Sequence, residues 1–173
     1  MDAMENLLTR RSIRKYKRAQ ITQEELDAVL RAGTFAATAR GTQSPLMVAV
    51  QSSEDITLMS ALNAHVWGND AMVPFYGAPT VVVVFADGDN PNGVQDASLV
   101  MGNLMHAAHA LGLGSCWVNR AKEVFEMPEG KALLKKWGVS GNWVGVGNCI
   151  LGYPNEPAAA PKPRKDGYYI KIK

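Results

Sequence analysis

The sequence predicts an α+β or α/β fold in which one central sheet is sandwiched by helices. Three observations predict it. The apolar runs 46–50 and 80–86 are continuous rather than alternating, the pattern of strands covered on both faces. Segments with helical spacing flank them, so the elements read helix, helix, strand, helix, strand, helix, strand, helix, strand and a tail strand. No internal repeat or interdomain linker interrupts the 173 residues, a length that suits one domain spanning 1–173.

The helix beginning at Gln23 is announced by a capping box, Thr22 as N-cap and Glu25 at the third helical position, with Ile21 facing Leu26 as a hydrophobic staple. Leu26, Val29 and Leu30 form its inward stripe, and Gly33-Thr34 opens the exit into the small-residue loop Ala36-Ala37-Thr38-Ala39-Arg40-Gly41. After the strand at 46–50, residues 54–66 form a helix with Ile56, Met59, Leu62 or Asn63, and Val66 on its stripe. Residues 95–111 form a more central one: Ala97, Met101, Leu104, Met105, Ala108 and Leu111 recur at helical spacing, while Leu99, Val100 and Ala107 make the opposite side apolar too. A helix apolar all round asks for a core on one side and a partner chain on the other. Gly112-Leu113-Gly114 ends it, and 115–118 is a short strand. A helix broken at Pro128 spans 122–138, and 143–151 is another strand. The Pro-rich stretch 154–163 is an extended arm, and the alternation in Tyr168-Tyr169-Ile170-Lys171-Ile172 predicts a terminal strand.

The hydrophobic fraction of 47% suffices for a substantial core. The longest apolar stretches are strand-length and the N-terminus has no apolar h-region, so neither a membrane span nor a secretory signal is expected, and the cytoplasm is the expected location. Cys116 and Cys149 sit inside apolar runs and read as buried free thiols; without Cys-x-x-Cys, no zinc knuckle is predicted.

Charge carries the functional signal. The net charge is only +2, yet of the 18 Lys and Arg residues six crowd between Arg10 and Arg18, in a stretch with no acid from Asn6 to Gln23. Lys162, Arg164, Lys165, Lys171 and Lys173 load the other end of the chain. Arginines with an interposed serine suit a multivalent anion better than a lysine-rich solvated face would. A nucleic-acid partner is disfavoured by the balanced total and by the absence of helix-turn-helix, RNP or zinc signatures. The sequences Gly112-Leu113-Gly114-Ser115 and Gly145-Val146-Gly147-Asn148 lack the third glycine of a dinucleotide fingerprint, and no Gly-Lys-Ser or Gly-Lys-Thr forms a P-loop. What remains is a phosphate-bearing cofactor held by side-chain cations from the two ends.

At this point the chain resembles the FMN-dependent nitroreductase family. Arg10-Arg11-Ser12-Ile13-Arg14 resembles the family's Arg-x-Ser-x-Arg/Lys, and Gly41-Thr42-Gln43-Ser44-Pro45 resembles its flavin-edge loop. Phe75-Tyr76-Gly77-Ala78-Pro79 before the buried strand, Gly112-Leu113-Gly114-Ser115-Cys116-Trp117, and Gly152-Tyr153-Pro154 leading to Lys162-Pro163-Arg164-Lys165 follow in the family's order. Ala37 and Thr42 depart from the family's usual Pro and Asn.

The resemblance implies an α+β, three-layer α/β/α fold with a central mixed sheet, an intertwined homodimer carrying two FMN at its interface, and a C-terminal arm, 154–173, bearing phosphate-binding cations. It implies FMN as cofactor, its phosphate held by Arg10, Ser12, Lys162 and Arg164 with Arg11 or Lys165. Arg14 would face the N1 and C2 carbonyl side of the ring, and Gln43 the pyrimidine edge. Thr38, Ala39 and Arg40 would approach from the partner subunit, and backbone amides near Asn119 and Arg120 would reach N5. Either Asn63 or Asn69 would contact the flavin.

The implied activity is a ping-pong cycle. NAD(P)H reduces FMN and departs, and a small electron-poor acceptor such as a nitroaromatic or quinone takes the electrons, with no protein nucleophile and no metal. A flavin-binding sensor on the same scaffold is the alternative, and a basic nucleic-acid binder a more distant one. His106 and His109, three residues apart, read as core or interface histidines rather than metal ligands. Trp67, Phe75 and Tyr76 read equally as channel lining or as packing.

Overall fold

The structure is a computed structural model that describes residues 1–173. Its elements, in chain order, are α1 (Ala3–Thr9), α2 (Gln23–Thr34), a one-turn 3-10 segment (Ala39–Gly41), β1 (Leu46–Val50), α3 (Ser53–Trp67), β2 (Thr80–Asp87), α4 (Gly93–Ala110), β3 (Gly114–Val118), α5 (Ala121–Glu126), α6 (Pro128–Lys136) and β4 (Trp143–Gly152).

The four strands lie in the order β1-β2-β4-β3 and all pair antiparallel. Parallel pairing is confined to one isolated bridge, Ser12 with Ser115, at the β3 edge. β2 is the buried centre, and its side chains alternate between two cores as a strand's period of two requires. Val82, Val84 and Ala86 point into a cluster with Leu26, Val29, Val100, Met101 and Leu104 of α2 and α4. Val81, Val83 and Phe85 point into another with Met59 of α3, Val124 and Phe125 of α5 and Leu133 of α6. Those two cores on one sheet make the three layers.

The capping box at α2 is present, with both the Thr22 and Glu25 side chains engaged. Pro128 separates α5 from α6 and becomes the first residue of α6, where its missing N–H costs nothing. Cys116 and Cys149 are buried and free, and burial pushes the Cys149 thiol up to about 12.

Three expectations fail. The sheet is antiparallel rather than mixed, because the one parallel contact, Ser12 with Ser115, stays a single bridge and adds no strand. β1 is not covered on both faces: Leu46 to Val48 are half-buried and Ala49 is exposed, because β1 is an edge strand whose one neighbour is β2. The predicted tail strand is also absent. Residues 168–172 pair with nothing, and Ile170 and Ile172 are 83% and 89% exposed. The proline-rich arm carries them clear of the sheet edges, and alternation alone supplies no backbone partner. The outer side of α4 is open in the single chain, with Val94 and Leu99 exposed. No helix is long and apolar enough to cross a membrane.

Candidate functional site

The N-terminal cationic segment is stitched to the end of the sheet by backbone bonds. Ile13 N donates to Ser115 O at 3.0 Å, Lys17 N to Tyr153 O at 2.9 Å, and Asn155 N to Lys15 O at 2.9 Å. The Glu156 carboxylate accepts the Arg14 N–H at 2.9 Å. The segment is thereby laid beside β3 and the start of the arm. Tyr16 fills the gap, its hydroxyl donating to Ile13 O at 2.7 Å, and burial raises the phenol pKa far above its ordinary value.

The two adjacent arginines have different surroundings. Arg11 donates to the carbonyls of Leu8 and Arg10, at 2.9 and 2.6 Å, and so closes the C-terminal end of α1. Arg10 instead has a buried Nη1 without any partner in the chain. Only two other side-chain nitrogens share that condition, Trp117 Nε1 and Arg120 Nε.

Trp117 and Arg120 both line one cavity of about 220 Å³, together with Arg14, Asn63, Trp67, Met72, Pro74, Tyr76, Cys116, Val118 and Asn119. Its floor is β3 and the turn that follows. Arg120 stands in the left-handed region, φ 76°, as N-cap of α5. Gly145 of β4 lets this turn come down on the sheet, since a Cβ there would lie 2.5 Å from Ala121 C and O. The Arg120 guanidinium lies 5.3 Å from the Trp67 ring centroid and pairs with Glu123 at 3.2 Å. Trp67 and Tyr76 form the opposite, more exposed wall, whereas Phe75 belongs to the core at 2% exposure.

Of the two asparagines, Asn63 lies at this cavity, and Asn69 sits in an exposed turn accepting the N–H of Ala71. Sequence reasoning missed Asn148 and Asp96. Asn148 is buried in β4, and its amide approaches Val118 O and Asn119 O at 3.3 and 3.4 Å. Asp96 is buried at the start of α4 and binds the 38–44 loop. Asn148, a polar residue inside the apolar run 143–151, carried a sequence signal; Asp96, among Gln95 and Ser98, carried none.

The remaining expected residues lie apart from the cavity within one chain. Thr38 and Gln43 line a separate hollow of about 110 Å³ against Gly33, Met47 and Val100. Gln43 N donates to Thr38 Oγ1 at 3.0 Å, and Arg40 and Gln43 both hold positive φ, 57° and 51°. Such strain in bulky residues concentrates at functional loops. Lys162, Arg164 and Lys165 are exposed on the arm. The Arg164 guanidinium turns back onto Lys162 O, and no hydrogen bond or ion pair joins these cations to residues 10–14 of the same chain. His106 and His109 face α1, with His106 Nδ1 at 2.7 Å from Asn6 Oδ1 and His109 Nε2 at 2.8 Å from Thr9 Oγ1. Burial and the nearby Arg10 charge lower both imidazole pKa values.

Arg10 with its buried, unpartnered Nη1 lies near a cavity that has aromatic walls, two arginines (Arg14 and Arg120) and positive φ at Tyr76 and Arg120, an arrangement that suits a flat anionic ligand. Comparison with known proteins gives the family and the fold. The family model described as "Nitroreductase family" matches residues 7–153. The chain belongs to the nitroreductase family. A protein of Archaeoglobus fulgidus, named as an inferred NADH dehydrogenase/NAD(P)H nitroreductase, is 32% identical over 160 residues, covering 90% of this chain and 87% of its own. The crystal structure of a nitroreductase with bound FMN from Bacteroides fragilis superposes with a TM-score of 0.91 at 27% identity and covers 100% of both chains. A nitroreductase with bound FMN from Desulfitobacterium hafniense shares the fold at a TM-score of 0.87 and 21% identity, covering 99% of this chain and 100% of its own. As a nitroreductase-family chain, this one has its three layers within residues 3–152, inside a superposition that covers the whole chain.

Proposed function

We propose that this nitroreductase-family chain is an FMN-dependent NAD(P)H oxidoreductase that passes two electrons, by a ping-pong cycle, to small electron-poor acceptors such as nitroaromatics or quinones. The observation that carries the reading is the unpartnered, buried Nη1 of Arg10 in a segment laid along the same strand whose end forms the cavity floor. A buried donor left unpaired costs about 1–3 kcal/mol, so a ligand that satisfies it binds with that much in its favour. The family and the FMN-bound neighbours support the choice of ligand.

The residues present fit FMN. Arg10 and Ser12 would hold its phosphate, a group of about 1.5 to 2 negative charges that suits guanidinium donors. Lys162 and Arg164, with Lys165, would complete that set across a homodimer, since the arm that carries them makes no hydrogen bond with the body of its own chain beyond Glu156. Arg11, occupied by carbonyls of α1, contributes charge rather than a direct contact. When bound, FMN supplies the two-electron chemistry.

The chain's own groups bind and orient. Arg14 brings positive charge to the cavity, which favours a ring that gains negative charge there. Trp67 and Tyr76 offer flat walls that a second planar molecule can meet. Thr38, Ala39, Arg40 and Gln43, held on their strained loop, would reach the ring from the partner subunit. No nucleophile or acid–base pair is required of the protein.

The test is direct. Purified protein is heated, the released chromophore is identified, and NADH and NADPH oxidation is followed with a quinone and with a nitroarene. FMN in the supernatant and parallel-line kinetics are expected. A colourless protein that neither binds FMN nor oxidises either nicotinamide refutes the reading.

A further inference from the structure

We propose that Asn63, assisted by Asn148, is a positioning residue that holds the Asn119–Arg120 peptide with its N–H turned into the cavity as a fixed donor. The inference rests on the FMN reading above and names the groups that aim this donor.

Asn63 is 3% exposed, and its amide nitrogen donates to Asn119 O at 2.7 Å. Asn148 of β4, 2% exposed, shares its amide between Val118 O at 3.3 Å and the same Asn119 carbonyl at 3.4 Å. Two buried amides from α3 and β4 therefore converge on one peptide oxygen. In a trans peptide the N–H points opposite to the C=O. With the carbonyl held by these buried amides, the Arg120 N–H points away from them; Arg120 lines the cavity, and this N–H donates to no group of the chain.

The backbone records the same constraint. Turning a peptide over changes ψ of the residue before it and φ of the residue after it. Arg120 is held at φ 76°, a region costly for a residue with a Cβ. Without a counterweight the peptide would turn over, returning Arg120 to negative φ and presenting a carbonyl to the cavity. The Asn63 bond is that counterweight. A donor on the carbonyl also polarises the peptide and strengthens its N–H as a donor. The acceptor such a donor suits is an unprotonated ring nitrogen, and in FMN that atom is N5.

The test uses the FMN-loaded protein reconstituted with flavin labelled with nitrogen-15 at N5, together with the FMN dissociation constant. In the wild type the N5 resonance is expected at the position of a hydrogen-bonded flavin. In Asn63→Leu it moves to that of a flavin without this bond and Kd rises about tenfold. Asn63→Asp, which keeps the shape and loses the donor, shows the same shift if the leucine variant does not fold. Adding Arg120→Gly to Asn63→Leu removes the cost of positive φ and brings the resonance back toward the wild-type position, a rescue that loss of packing would not give. An N5 resonance unchanged in both Asn63 variants, or one free of hydrogen bonding already in the wild type, overturns the inference while leaving FMN binding intact. Failure of the wild type to take up FMN removes the parent reading as well.

Discussion

The buried carboxylate of Asp96, at the start of α4, accepts the backbone N–H of Ala39 at 2.9 Å. Asn90 reinforces this contact, donating to Ser44 Oγ at 2.8 Å and reaching Asp96 Oδ2 at 3.4 Å. A core helix thus anchors the loop bearing Thr38, Ala39, Arg40 and Gln43. Asp96→Ala is expected to destabilise the fold by about 2 kcal/mol and to weaken FMN retention, whereas Asp96→Asn, still able to accept, changes both less. Thermal unfolding and flavin titration of the two variants check this.

A second buried carboxylate ties α3 to α6. Asp55, 4% exposed, accepts from Lys136 Nζ at 2.6 Å and from Trp137 Nε1 at 2.9 Å. The Lys136 ammonium, then the Trp137 N–H, hold its pKa below the ordinary carboxylate value. A depressed folded pKa contributes stability that is complete above the unfolded value and lost as pH falls through the folded one. Denaturant melts at descending pH are expected to lose stability below the ordinary carboxylate range, with a flatter acid limb in Asp55→Leu. At neutral pH that variant, which orphans the Trp137 N–H, is less stable by about 2 kcal/mol.

The two histidines facing α1 act earlier in an acid titration. Burial, then the Arg10 charge, lowers both pKa values from 6.5, so the folded state prefers neutral rings and stability declines as pH falls from about 6.5 through the lowered values. His106→Gln with His109→Gln is expected to remove this shallow step and leave the carboxylate limb in place, measurable by the same melts.

The α2 capping box is fastened to the end of β4, since Glu25 Oε2 accepts from Thr22 N at 2.8 Å and from Tyr153 Oη at 2.7 Å. Thr22→Ala is expected to cost about 1 kcal/mol without altering FMN affinity. Equilibrium unfolding and flavin titration separate the two quantities.

How much of this was legible in the sequence depends on what each residue pairs with. The helix at Gln23 was readable because Thr22 and Glu25 cap it locally. The Val-rich run of β2 was readable because a strand covered on both faces must be apolar throughout. The similar run of β1 misled, since edge position is a property of the whole sheet. The same limit separates Arg10 and Arg14, conspicuous as charge, from Asn148 and Asp96, whose partners are backbone groups 29 and 57 positions away, and it left Asn63 undivided from Asn69 until the Asn119 carbonyl, 56 positions on, was in place. A polar residue in an apolar run, as at Asn148, marks the position but not the distant carbonyl or N–H it waits for. The Tyr168–Ile172 alternation misled for the same reason, having no strand beside it.

The affinity of the apoprotein for FMN, compared between wild type and Arg10→Ala by flavin fluorescence titration, is the most direct measure of whether Arg10 holds the cofactor. Because Arg10 Nη1 is buried and unpaired, the loss of one charged hydrogen bond, about 1.5–3 kcal/mol, predicts roughly a 10- to 150-fold weaker Kd in the variant. Equal affinities in the two proteins would contradict it.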